Sequence, residues 1–114
     1  MIRKTSNSTV TGMMGGKGSL EIREILPKNE LMGHGTLFSR TVLPPGSSIG
    51  FHQHVGNTEP YYILKGTGIF VDNDGSRIEV GAGDVCLIQC GESHALENNG
   101  DEDLEIIALI INEG

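Results

Sequence analysis

Short apolar runs recur along this chain, and no long stretch of it shows a convincing helical period. Glycine, proline, asparagine and aspartate separate the runs, and the 17 glycines are about twice the usual share for 114 residues. Because turn residues bound each short run, the pattern favours strands over helices. Strands are predicted at residues 20–26, 34–43, 48–54, 58–65, 67–72, 76–80, 84–89, 93–98 and 103–111.

The turns between these runs indicate an all-β fold. Asp74–Gly75 separates two alternating apolar segments, which is a strong signal for a hairpin. Short strands at regular spacing favour an antiparallel sandwich or barrel. A chain of 114 residues suggests one domain. We predict a flexible polar arm over residues 1–18 and a single β-barrel domain over residues 19–114.

Charge and hydropathy limit the partners of the chain. The formal net charge is −7 and the basic residues are scattered, which argues against nucleic acid and anionic membrane. No apolar run approaches the roughly 20 residues needed to cross a bilayer. The first residues contain no hydrophobic stretch of the kind found in signal peptides. We therefore predict a cytoplasmic protein.

The two cysteines, Cys86 and Cys90, are not expected to form an internal disulfide. In an extended chain their Cα atoms would lie roughly 13 Å apart, whereas a disulfide requires less than about 7 Å. Two free thiols in a reducing compartment are the expected state.

Three of the four histidines fall in two clusters that are suited to metal binding. In a strand, His52 and His54 point to the same side, and Glu59 follows a turn and can face back toward them. His94 begins a later strand and could supply a fourth ligand. Such a set suits iron, manganese, nickel, copper or zinc and suits magnesium or calcium poorly. Taken alone, a His-x-His pair is a weak signal, and a lone histidine is usually structural.

The spacing of glycines around these residues resembles the two motifs of the cupins. The first motif is matched by Gly46-(x5)-His52-x-His54-(x4)-Glu59-(x6)-Gly66, and the second by Gly83-(x5)-Gln89-x-Gly91-(x2)-His94-(x3)-Asn98, where Gln89 replaces the usual proline. The motifs cover residues 46–98. The resemblance implies a small single-domain cupin, that is, a jelly-roll-like double-stranded β-helix barrel of antiparallel strands. It also implies a homodimer and metal ligands at His52, His54, Glu59 and His94.

Strand alternation extends the predicted site beyond the ligands. If Glu59 faces inward, so does Tyr61, which is our candidate catalytic or hydrogen-bonding residue; the alternative is a core tyrosine. Tyr62 should then face outward. Similarity to other cupins places Ser39 inward and Arg40 outward, whereas an inward Arg40 would clamp an anion. The substrate pocket is predicted to comprise Leu37, Ser39, Thr41, Ile49, Tyr61, Ile63 and Leu96, with Ile49 at its mouth.

Two classes of function remain open from the sequence. One is a metal-dependent enzyme for a small organic molecule, a dioxygenase first and an isomerase or lyase next. Four ligands on an octahedral ion would leave two adjacent positions for water, substrate or dioxygen. The other is a non-catalytic module that binds or senses a small ligand. No cofactor other than one divalent transition metal is predicted, and the reused scaffold does not decide between enzyme and binder.

Overall fold

The computed structural model describes residues 1–114, and it consists almost wholly of antiparallel strands, as predicted. Two single 3₁₀ turns, Met13–Gly15 and Lys28–Glu30, are its only helical segments, and neither is long and apolar enough to span a membrane. The strands are β1 (Ser6–Thr11), β2 (Ser19–Leu26), β3 (Gly35–Leu43), β4 (Ser48–Gln53), β5 (Asn57–Thr58), β6 (Tyr61–Lys65), β7 (Thr67–Val71), β8 (Arg77–Gly81), β9 (Val85–Cys86), β10 (Ser93–Glu97) and β11 (Leu104–Asn112).

These strands form two sheets around one hydrophobic core. The larger sheet has the order β1-β2-β3-β11-β6-β9, with β5 also paired to β11, and the smaller has the order β4-β10-β7-β8. The core includes Ile63 and Ile106 from the larger sheet and Leu96 from the smaller, all fully buried. Burial of each such side chain stabilises the folded state by about 1.5–3 kcal/mol, because apolar surface is removed from water. The arrangement is that of a double-stranded β-helix.

Alternation along the strands determines which side chains enter the barrel. On β6, Tyr61 and Ile63 are buried, whereas Tyr62 and Leu64 are exposed, as the sequence predicts. The predicted hairpin at Asp74–Gly75 joins β7 to β8. Side chains that enter the barrel from β6 are therefore available to the site.

The N-terminal segment contains a strand that the sequence does not predict. β1 pairs along its whole length with β2, from Ser6 opposite Glu24 to Thr11 opposite Ser19. Its side chains are almost all exposed and polar, so no buried face marks it as a strand. Backbone pairing with β2 is its main support, and Val10 alone packs, half-buried, on the core.

The glycine-rich residues 12–18 lie against β4. The Ser48 N–H donates to the Lys17 carbonyl at 2.9 Å, and the Lys17 N–H donates to Ser48 Oγ at 2.9 Å. A Cβ on Gly16 would overlap the Ser48 carbonyl, and a Cβ on Gly50 would overlap the Met14 carbonyl. Glycine at both positions allows the two backbones to approach.

β4 contains a bulge that simple alternation does not foresee. His94 pairs with His52 while Leu96 pairs with Ile49, so a step of three residues in β4 spans a step of two in β10. Alternation alone would place Ile49 and His52 on opposite faces. The bulge turns both inward, so that Ile49 is buried in the core while His52 faces the site.

Hydrogen bonds hold the turn in which Gln89 replaces proline. The Gln89 N–H, which a proline would lack, donates to Glu92 Oε1 at 2.8 Å, and the Glu92 N–H donates to the Gln89 carbonyl at 3.0 Å. Nearby, Asn98 Nδ2 donates to the carbonyls of Leu43 and Glu102 at 2.8 and 2.7 Å. These bonds fix the two ends of the segment that carries His94.

Candidate metal centre

The four predicted ligands come from separate segments that the fold joins. His52 lies on β4 and His94 lies opposite it on β10. His54 follows the end of β4, where its N–H donates to the Glu92 carbonyl at 3.0 Å and its carbonyl accepts from the Gly91 N–H at 2.6 Å. Glu59 lies between β5 and β6. Backbone bonds thus hold the His54 loop against the segment that leads into β10.

The donor atoms of these four side chains converge on one point. His54 Nε2 lies 3.0 Å from His52 Nε2, 3.1 Å from His94 Nε2 and 3.1 Å from Glu59 Oε1. Glu59 Oε1 is 3.2 Å from His94 Nε2 and 3.9 Å from His52 Nε2. All four donors lie within 4.8 Å of one another. Three of the residues are buried and His52 is half-buried.

The outer ring nitrogens fix the tautomers of two histidines. His52 Nδ1 donates to the Gly50 carbonyl, and His54 Nδ1 donates to Asn57 Oδ1, both at 2.6 Å. In the neutral rings, Nε2 therefore carries a lone pair that points into the cluster. Two lone pairs that face each other at 3.0 Å repel unless a cation lies between them. The donor set therefore fits a transition-metal ion.

The His94 ring is held differently. Its Nδ1 is buried and has no hydrogen-bond partner. The ring stacks on Tyr61, with centroids 4.7 Å apart and planes 13° apart, and meets Phe70 edge-on at 6.0 Å. Packing between aromatic rings, rather than a hydrogen bond to Nδ1, holds the outer edge of His94.

Electrostatics keep a negative charge at the centre of the cluster. Burial alone would raise the pKa of Glu59, but its contacts with the ring nitrogens of His52, His54 and His94 outweigh burial, and the pKa is lowered. The hydrogen bond to Glu59 raises the pKa of His54, whereas burial lowers the pKa of His94. A carboxylate beside imidazoles that release any proton when a metal binds is a suitable ligand set for a divalent cation.

Tyr61 extends the cluster by a fifth polar atom. Its hydroxyl donates to Glu59 Oε1 at 3.1 Å and lies 3.2 Å from His94 Nε2. Burial raises the pKa of Tyr61 well above its ordinary value, so the phenol keeps its proton. The structure thus brings the candidate catalytic residue to the predicted ligands.

Six of the seven residues predicted to line a substrate pocket are buried, and Leu37 packs against the core half-buried. Ser39 Oγ and Thr41 Oγ1 are buried 3.0 Å apart and bond to each other. None of the three surface cavities, the largest of about 540 Å³, is lined by any of the seven. Their role as substrate contacts stays a prediction.

Sequence reasoning did not identify Ala108, which lies between two of these residues. It pairs with Tyr61 on one side and with Ser39 on the other, and it is buried. Ala108 is the only small residue in the apolar run 106–111, and this change of size is the sequence signal that could have identified it.

Two polar residues lie away from the cluster. Arg40 points outward, with 43% of its side chain exposed, and its Nη2 lies 2.7 Å from Glu105 Oε1. It is therefore not an anion clamp inside the barrel. His34 is exposed in the turn before β3.

Comparisons with known proteins agree with this geometry. The family model described as Cupin domain matches residues 39–110. An oxalate-binding protein of Thermotoga maritima is 46% identical over 114 residues, which cover 97% of this chain and 93% of that protein. The crystal structure of a predicted oxalate decarboxylase from Thermotoga maritima gives a TM-score of 0.92 at 45% identity, covering 98% of each chain. A Cupin 2 conserved barrel domain protein from Salinispora arenicola gives a TM-score of 0.64 at 27% identity, covering 82% of this chain and 76% of that one.

Proposed function

The chain belongs to the family of cupin domains, and we propose that it binds a small dicarboxylate such as oxalate at a divalent transition-metal ion. The ion would be held by His52, His54, Glu59 and His94. The observation that carries the proposal is the convergence of three imidazole nitrogens and one carboxylate oxygen within 4.8 Å. The relative named as an oxalate-binding protein supports this choice of ligand.

The chemistry of the site agrees with an anionic ligand. A bound ion would supply a Lewis acid that attracts carboxylate oxygens. The protein contributes one carboxylate and neutral imidazoles, so the loaded site would keep a net positive charge for an anion. The Tyr61 hydroxyl is the one side-chain hydroxyl that touches the cluster. Iron, manganese, nickel, zinc and copper all remain suitable ions.

Calorimetric titration of oxalate into protein loaded with each metal tests the proposal. We expect oxalate binding to the loaded protein and none to the metal-free protein. The variant His54→Ala should lose both the metal and the oxalate. His34→Ala removes an exposed histidine outside the cluster and should change neither. Equal oxalate binding by metal-free and loaded protein would overturn the proposal.

Decarboxylation of oxalate is the second candidate function. The similar structure named as a predicted oxalate decarboxylase favours a lyase over the dioxygenase that the sequence suggests testing first. Such a reaction breaks the carbon–carbon bond, releases carbon dioxide and adds a proton to give formate. Formate release from oxalate by the loaded protein would support a lyase, whereas binding without formate would leave a binding protein.

We further propose that the chain is a cytoplasmic homodimer. The outer face of the larger sheet carries a row of paired residues in which Ile107, Tyr62 and Val85 follow Arg23 and Arg40. Tyr62 and Val85 are exposed, and aromatic and apolar residues beside arginines are typical of an interface, so this face suits a second copy. Both cysteines are free thiols, which fits a reducing compartment. Sedimentation equilibrium should give twice the 12.2 kDa mass of the chain, and the mass of one chain would contradict the dimer.

A further inference from the structure

We propose that the Tyr61 hydroxyl binds one oxygen of the metal-bound anion, and that it thereby selects dicarboxylates that occupy two adjacent positions on the ion. This inference rests on the proposed function. It assigns to Tyr61 a direct contact with the ligand and explains why a dicarboxylate would be preferred over a monocarboxylate.

The separations of the donor atoms define where an anion could bind. With metal–ligand bonds of about 2.1 Å, adjacent corners of an octahedron lie about 3.0 Å apart and opposite corners about 4.2 Å apart. His54 Nε2 is 3.0–3.1 Å from the other three donors, as adjacent corners require. His52 Nε2 and Glu59 Oε1, 3.9 Å apart, fit opposite corners. The two remaining corners lie opposite His54 and opposite His94, adjacent to each other.

These two corners differ in their exposure. The corner opposite His94 is surrounded by His52, His54 and Glu59, whose side chains keep 13%, 7% and 7% of their surface accessible. The corner opposite His54 also adjoins His52 and Glu59, but its third protein neighbour is His94, whose side chain is wholly buried. Ligands would therefore enter at the corner opposite His94, the outer corner, and the corner opposite His54 is the inner corner.

The Tyr61 hydroxyl lies beside two of the three donors that adjoin the inner corner. It is 3.1 Å from Glu59 Oε1 and 3.2 Å from His94 Nε2. Once the Nε2 lone pairs of the histidines point to an ion, none of them can accept the phenol proton. The hydroxyl can then donate only to Glu59 or to an anion at the inner corner. A dicarboxylate places one oxygen at each corner, whereas a monocarboxylate with one bound oxygen fills the outer corner alone.

The test compares Tyr61→Phe with Tyr62→Phe in metal-loaded protein. Each variant loses one hydroxyl from β6, but Tyr62 faces outward and is exposed. The measurements are metal content and the dissociation constants of oxalate and of acetate. Since hydrogen bonds to charged groups are among the strong ones, we expect Tyr61→Phe to weaken oxalate binding by about 10-fold or more. Metal content and acetate affinity should not change, and Tyr62→Phe should match the wild type.

Three results would overturn the inference. If Tyr61→Phe binds oxalate with wild-type affinity, the Tyr61 hydroxyl does not contact the anion, and the proposed function stays intact. Equal weakening of oxalate and acetate would refute selection for two carboxylates. Loss of metal from Tyr61→Phe would mean that Tyr61 supports Glu59 rather than the anion. If the loaded wild type binds neither anion, the proposed function fails together with the inference.

Discussion

Replacement of Asn57 by alanine is predicted to weaken metal binding by about 10- to 100-fold, which is the usual effect of removing a hydrogen-bond partner of a metal-bound histidine. Asn57 Oδ1 accepts from His54 Nδ1 at 2.6 Å and so points the opposite nitrogen at the other three donors. His54 makes three of the shortest separations in the cluster, and only 7% of its side chain is accessible to water that could replace the amide. The loss corresponds to about 1.4–2.7 kcal/mol of binding free energy.

Competition with a chromophoric chelator measures this affinity. Asn57→Asp keeps an acceptor at the same position, and it should bind metal at least as tightly as the wild type. Asn99→Ala removes an exposed asparagine and serves as the matched control. Asn57→Asp, the wild type and Asn99→Ala should therefore all bind metal more tightly than Asn57→Ala. Wild-type affinity in Asn57→Ala, or an equal loss in Asn57→Asp, would refute the reasoning.

Other predictions concern the barrel. Burial raises the pKa of the Cys86 thiol to about 11, whereas Cys90 is exposed, so one thiol should react with a disulfide reagent in native protein and two in denaturant. Gly16→Ala should destabilise the protein by about 1–3 kcal/mol in urea unfolding, because a Cβ overlaps β4. Gly81→Ala, where a Cβ has room, should lower the free energy of unfolding by less than about 0.5 kcal/mol. Equal effects of the two substitutions would contradict the close approach of Gly16 to β4. Ile106→Ala should lower the free energy of unfolding by about 2–5 kcal/mol, because it leaves a cavity in the core.

The site was predictable because its residues lie at fixed spacings within regular strands and their turns. His52 and His54 share a face through the two-residue period of a strand, and the same period places Tyr61 inward and Tyr62 outward. The convergence of His94 on the other ligands required the resemblance to cupins, since strand order is not encoded in any one segment. The hairpin at Asp74–Gly75 depended on local turn chemistry alone.

The remaining features depend on contacts between distant segments. The bulge that buries Ile49 lies where residues 12–18 pack on Gly50. The sequence of β4 by itself does not predict that contact. β1 is held by backbone bonds to β2, so its polar side chains carry no sign of a strand. Ala108 became relevant only when the register placed it between Tyr61 and Ser39. Periodicity predicts buried faces, and it does not predict which strands meet.

The proposed function depends on four side chains sharing one metal ion. A crystal of protein reconstituted with a transition metal, examined by anomalous scattering above the absorption edge of that metal, tests this directly. We expect one peak per chain, within about 2.0–2.3 Å of His52 Nε2, His54 Nε2, His94 Nε2 and Glu59 Oε1. A reconstituted protein that holds no metal, or a peak that touches none of these atoms, would contradict it.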